Sequence, residues 1–73
     1  VKNYYLKVIE MTAETPDEYK RQRLEASKYL FFYAINVEPN DMQLARRVLD
    51  IAAGINPNDK FVQQATKFME MSN

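Results

Sequence analysis

Hydrophobic residues recur with a helical period in the second half of the chain, between residues 44 and 59. Ala45, Leu49 and Ala52 fall at i, i+4 and i+7, so they share one face of a helix. Two of the three are alanines, and small residues on a buried face let a neighbouring helix approach closely. The pattern predicts a helix over residues 41–53, ended by a left-handed cap at Gly54.

The preceding segment combines a polar half with an apolar half. Thr15-Pro16-Asp17-Glu18 has the residue types of a helix start, with a capping threonine, a proline in the first turn and a glutamate three residues on. The helix that follows is predicted over residues 17–36. Its second half, residues 29–35, is apolar on every side, so we expect it to be central and buried on at least two faces.

Two shorter amphipathic segments, over residues 3–13 and 59–71, flank this pair of helices. The last one combines a polar outer face with an inner stripe of Phe61, Ala65 and Phe68, so it suits the end of a stack. The predicted fold is therefore all-α: four antiparallel helices joined by short turns, in a single domain over residues 1–73.

The composition narrows the chemistry that this domain can perform. It holds one glycine and three prolines, too few for the turns of a sheet protein. It has no cysteine and no histidine, so it lacks a thiolate nucleophile, the commonest general base and the commonest metal ligand. No glycine-rich phosphate loop is present, and the carboxylates lie on ordinary polar helix faces. We expect no enzymatic activity, no cofactor and no metal.

The charges give no attraction for a polyanion. Ten basic and ten acidic residues leave a formal net charge of zero. Basic residues near the start of the central helix alternate with acidic ones, which predicts a solvated, ion-paired face; the basic residues are Lys20, Arg21, Arg23 and Lys28. No run approaches the roughly 18 apolar residues of a membrane span. We therefore expect no nucleic-acid partner and no membrane insertion.

A short internal repeat connects the last helices. Pro39-Asn40-Asp41 recurs as Pro57-Asn58-Asp59 eighteen residues later, and Asn40 is the expected cap of the earlier helix. The series Ala45, Leu49, Ala52 and Pro57 resembles the second-helix signature of the tetratricopeptide repeat (TPR) family, in which a small residue, a large residue, a small residue and a proline follow at intervals of four, three and five.

The resemblance extends over nearly the whole chain. Residues 4–10 look like the second helix of a preceding repeat, and Ala26 with Tyr29-Leu30 looks like the first helix of the full repeat. Phe31 stands where the family favours glycine. The resemblance implies a TPR-like α-solenoid fragment, and we expect it to be the C-terminal part of a longer TPR-containing protein.

A partner-binding role follows from the resemblance. In tetratricopeptide arrays the first helices line a concave surface that holds extended peptides or segments of partner proteins. The resemblance places Arg21, Glu25, Lys28, Phe32 and Asn36 on or near that surface. In the alternative interpretation, Phe32 belongs to the core beneath the last helix and the charged residues are only solvated.

A second function class stays open beside the protein-interaction scaffold. The chain would then be a structural capping or oligomerisation module of a larger protein whose activity lies elsewhere. The first helix lacks a capping partner on its outer side, so we expect self-association through that helix under this alternative.

Overall fold

The computed structural model describes residues 2–37 and 39–71 and contains four α-helices. These are α1 (Lys2–Met11), α2 (Lys20–Asn36), α3 (Met42–Ile55) and α4 (Lys60–Met71). No strand occurs in these residues. The predicted all-α fold is confirmed. The helices form a flat body of 33 × 27 × 15 Å.

Helices that are consecutive in sequence make the most extensive contacts, and those of α2 with α3 are the largest. Tyr5 of α1 stacks on Tyr29 of α2 with ring centroids 4.4 Å apart. Arg23, near the start of α2, reaches the carbonyl oxygen of Ile9 near the end of α1. These contacts place α1 and α2 antiparallel, and α2 is central as predicted.

Small residues line the contact between α2 and α3. Ala26 and Ala34 of α2 and Ala45 and Ala52 of α3 are all completely buried. Leu49 is buried beside them, so the predicted inner face of α3 is confirmed. Because alanine side chains are short, the two helix backbones can approach closely along this face.

Both copies of the proline-asparagine-aspartate repeat lead into a helix. The Asp41 carboxylate accepts a hydrogen bond from the Leu44 N–H at 3.0 Å. The Asp59 carboxylate accepts one from the Phe61 N–H at 2.8 Å. The caps satisfy N–H groups that have no partner within their own helix. In the first copy the cap is Asp41 rather than the predicted Asn40, because α3 begins one residue later, at Met42.

The central helix starts later than predicted, at Lys20 rather than residue 17. The Thr15 N–H donates to the Thr12 carbonyl at 3.2 Å, and the Glu18 N–H donates to the Thr15 carbonyl at 3.2 Å. These turn bonds occupy the backbone that a capping box would use. Tyr19 consequently precedes the helix without a side-chain cap.

The predicted left-handed cap at Gly54 is wrong. The helix continues through Gly54 to Ile55, and Gly54 has no positive φ. The chain leaves the helix at Asn56, which is extended at φ −154° and ψ 93° and donates its N–H to the Ala52 carbonyl. The Asn56 side chain accepts a hydrogen bond from the Asn58 N–H at 3.1 Å. This local turn reverses the chain without a left-handed glycine.

Candidate functional site: a groove between the second and fourth helices

An apolar groove runs between α2 and α4. It has a volume of about 200 Å³, and its walls come from three residues of α2 and four of α4, namely Phe31, Phe32, Ile35, Phe61, Gln64, Ala65 and Phe68. Gln64 is the one polar residue in this set. The groove therefore offers an almost entirely hydrocarbon surface.

Four phenylalanine rings build the groove. Phe31 is buried, and its ring centroid lies 5.7 Å from that of Phe61 and 6.0 Å from that of Phe68, both in edge-to-face geometry. Phe32 lies 5.9 Å from Phe61. Phe32 is 46% exposed and Phe68 is 41% exposed. Edge-to-face ring pairs contribute free energy beyond that of the area they bury, so the rings that line the groove are well packed. The partly exposed rings of Phe32 and Phe68 are accessible at its opening.

The groove exists because the apolar half of α2 is not fully covered. Residues 29–35 are apolar on every side but are not buried on every side, since Tyr29 and Phe32 are both more than a third exposed. A chain of 73 residues buries only part of its surface. Here α1, α3 and α4 cover the other faces of α2 and leave the side that bears Phe32 partly open.

A polar hollow continues from the apolar groove at the start of α4. It has a volume of about 430 Å³ and shares Phe32, Phe61 and Gln64 with the apolar groove; its further residues are Lys28, Asp59 and Lys60. The Asp59 carboxylate there already accepts the Phe61 N–H. The hollow is thus lined by two lysines and by one aspartate whose carboxylate is engaged as a helix cap.

The structure separates the five predicted partner-binding residues into two sets. Lys28 and Phe32 line the groove and its polar hollow. Arg21 and Glu25 are exposed elsewhere on α2 and line none of the cavities described. Asn36 is also exposed, and its side-chain amide donates to the Phe32 carbonyl at 2.7 Å, so it stabilises the end of its own helix. The observed exposure of Phe32 disagrees with the interpretation that it is simply core.

Sequence reasoning missed the buried position of Arg23. This residue is only 8% exposed, so the expectation of a solvated face is wrong for it, although Lys20, Arg21 and Lys28 are exposed. Its guanidinium donates to the Ile9 carbonyl at 3.0 Å and to the Thr12 hydroxyl at 2.7 Å. It thereby satisfies oxygen acceptors at the end of α1.

A spacing signal could have identified Arg23. It lies at i, i+4, i+7 and i+11 with Ser27, Leu30 and Ala34, all of which are buried on α2. The same kind of reasoning did place Phe61 and Phe68 on the inner stripe of α4. It could not show that the Phe68 ring is partly accessible, because that depends on how far α4 lies from α2.

A second aromatic cluster joins α1 to α2 on the other side of the central helix. Beside the Tyr5–Tyr29 stack, Tyr4 meets Tyr5 edge-on with centroids 5.1 Å apart. The Lys2 ammonium lies 5.1 Å from the centroid of the Tyr33 ring, within the range of a cation–π contact. These contacts hold α1 in place and leave no described cavity between the rings.

No protein-family model, curated protein or solved structure matches the chain. The tetratricopeptide resemblance therefore rests on the residue pattern of the sequence alone. In the described part of the chain, no helix has the length and apolar character needed to cross a membrane.

Proposed function

We propose that this domain is a protein-interaction module that holds a segment of a partner protein in the groove between α2 and α4. The observation that carries the proposal is the groove itself, with Phe32 and Phe68 both more than 40% exposed around a volume of about 200 Å³. Large aromatic side chains at an open apolar site favour binding, because covering them removes hydrocarbon surface from water.

The size of the groove favours a side chain over a free small molecule. Sites for drug-sized ligands and cofactors are usually about 300–1,000 Å³ and enclose most of the ligand. The apolar groove alone is smaller than this, and the polar hollow beside it is an open depression lined mostly by exposed side chains rather than an enclosing site. The apolar groove suits one bulky apolar side chain of a partner, whose backbone would continue along α2 and α4.

The tetratricopeptide resemblance supports the same surface. Under that resemblance α2 and α4 are the first helices of successive units, and the first helices line the concave side of such arrays. The start of α2's apolar half and the start of α4 meet at Lys28 and Lys60. Further along both helices, Ile35 and Phe68 line the same groove. The two helices therefore run in the same direction, as first helices of neighbouring repeats do. The proposed activity is binding without catalysis.

Selection of peptides from a random phage-displayed library on the immobilised 73-residue chain tests the proposal. Selected peptides should lose binding to a variant that carries Lys28→Ala and Phe32→Ala, while its helical circular dichroism stays unchanged. Tyr4→Ala, which removes an equally large exposed ring from α1, is the matched control and should retain binding. Peptides that bind the double variant as well as the original chain would refute the groove assignment.

A second function is favoured by the outer face of α1. Tyr4 and Met11 are 66% and 71% exposed, and Val8, which is half-buried against the core, lies between them at helical spacing. An apolar stripe of this kind suits self-association of two copies of the chain. Sedimentation equilibrium should then show a concentration-dependent dimer that Met11→Glu converts to a monomer. A monomer at all concentrations would refute this second function.

A further inference from the structure

We infer that the groove between α2 and α4 selects an acidic segment, in which a bulky apolar residue is flanked by aspartate or glutamate. This inference rests on the proposed function and names the chemistry of the partner. The apolar groove and the polar hollow are two parts of one continuous surface, because they share Phe32, Phe61 and Gln64. The inference follows from this continuity.

The charges around this surface differ from those of the whole chain. The chain has a formal net charge of zero. The polar hollow, by contrast, contains Lys28 and Lys60 against the single carboxylate of Asp59. Among the described residues neither lysine makes an ion pair, and the Asp59 carboxylate is already engaged by the Phe61 N–H. The two ammonium groups are consequently available to an incoming anion.

The α4 helix adds to the positive character of the groove. Lys60, Gln64 and Lys67 follow each other at i, i+4 and i+7, so they lie along one side of the helix. All three are exposed, and Gln64 lines the groove. Lys60 is also the first residue of α4, where the helix dipole is positive. The α4 edge therefore presents lysine and amide donors and no carboxylate between residues 60 and 69.

The apolar and basic parts set the pattern of the partner segment. One large side chain, such as phenylalanine, leucine or methionine, enters between Phe32 and Phe68. Carboxylates beside it lie over Lys28 and Lys60. Lys28 precedes Phe32 by about one helical turn, roughly 5.4 Å. In an extended segment successive residues are about 3.3 Å apart, so the acidic residues belong within about two positions of the apolar one.

Four synthetic peptides with identical glycine-serine flanks test the inference on the 73-residue chain. Their cores are Glu-Phe-Glu, Gln-Phe-Gln, Lys-Phe-Lys and Glu-Ala-Glu. Binding is followed by amide chemical-shift changes in the ¹⁵N-labelled protein, which detect weak complexes. We expect Glu-Phe-Glu to bind about tenfold more tightly than Lys-Phe-Lys, since several exposed charge pairs each contribute modestly. We expect Glu-Ala-Glu to bind more weakly than Glu-Phe-Glu.

Matched charge variants test whether the preference for the acidic peptide comes from Lys28 and Lys60. Lys28→Gln with Lys60→Gln should reduce the preference for Glu-Phe-Glu over Lys-Phe-Lys to less than about threefold, because each lost pair is a modest term. Lys7→Gln with Lys20→Gln removes the same charge from exposed positions that do not line the groove and should keep the preference. Raising the salt from about 50 mM to about 500 mM should weaken the acidic peptide most, because screening acts on exposed charges.

The outcomes separate this inference from the proposed function. If all three phenylalanine peptides shift Phe32 and Phe68 with equal affinity, the acidic preference is wrong and the proposed function stands. If Glu-Ala-Glu binds as well as Glu-Phe-Glu, the apolar groove is not the anchor and the inference is also overturned. If no phenylalanine peptide shifts the groove at any charge, both proposals fail.

Discussion

Replacing Ser27 with alanine should stabilise the domain. The Ser27 side chain is completely buried in α2, and its hydroxyl has no hydrogen-bond partner among the described residues. A buried polar group without a partner costs about 1–3 kcal/mol, because it gives up its bonds to water and gains none. Alanine fills almost the same volume without the hydroxyl, and it is also the better helix former by a few tenths of a kcal/mol.

These two terms together predict a gain of about 1–3 kcal/mol in the free energy of unfolding of Ser27→Ala. For domains of 60–100 residues, each kcal/mol raises the unfolding midpoint by about 4–8 °C. Thermal unfolding followed by circular dichroism at 222 nm measures the shift, and urea unfolding gives the free energy.

Thr66→Ala is the matched control for Ser27→Ala. Thr66 is exposed on α4, so its replacement also removes a hydroxyl from a helix but relieves no burial. The free energy of unfolding of Thr66→Ala should rise only through the higher helix propensity of alanine, by about 0.5 kcal/mol. A Ser27→Ala variant less stable than the original chain would refute the reasoning, because it would show that the buried hydroxyl makes a stabilising bond in solution.

Three further substitutions test other parts of the structure by the same urea assay. Gly54→Ala should stabilise by about 0.5–1 kcal/mol, because Gly54 is helical and an added Cβ meets nothing within 4 Å; a destabilised variant would show that the helix ends at Gly54. Arg23→Ala should lower the free energy of unfolding by about 2–4 kcal/mol, because it removes two charge-assisted hydrogen bonds to the end of α1. Arg21→Ala, at an exposed position, should change it by no more than about 0.5 kcal/mol. Equal effects would contradict the buried position of Arg23. Asp41→Ala should cost about 1 kcal/mol and Asn40→Ala should cost less, and the reverse order would move the cap to Asn40.

The helices could be predicted because their signals are local. The period of Ala45, Leu49 and Ala52 fixes the inner face of α3 whatever the neighbouring helix is, and all three residues are buried. The repeated Asp41 and Asp59 also follow a local rule, since a carboxylate next to unpaired N–H groups is a good cap in any helix.

Other features depend on neighbours that a local pattern does not contain. Gly54 permits a left-handed cap, but the helix continues to Ile55 and the turn begins at Asn56. Arg23 has the residue type of a solvated position, and its burial depends on where α1 ends. Phe32 has the residue type of a core position, and it is nearly half exposed because α4 covers only one side of it.

In the candidate site, too, the features within one helix could be predicted and those that depend on a second helix could not. The positions of Lys28 and Phe32 on one side of α2 follow from helical spacing; Phe32 lines the groove and the polar hollow, and Lys28 lines the polar hollow. The contribution of Phe61 and Phe68 depends on the contact between α2 and α4, which lie about thirty residues apart in sequence. Spacing within one helix carries no information about such a contact.

Chemical-shift mapping with a phage-selected peptide tests the central claim most directly. Amide shifts of the ¹⁵N-labelled 73-residue chain are recorded while the peptide is added. We expect the largest changes at residues around the groove, namely Phe32, Ile35, Phe61, Gln64 and Phe68. Changes concentrated on Tyr4 and Met11, with the groove residues unaffected, would contradict it and would move the binding surface to α1.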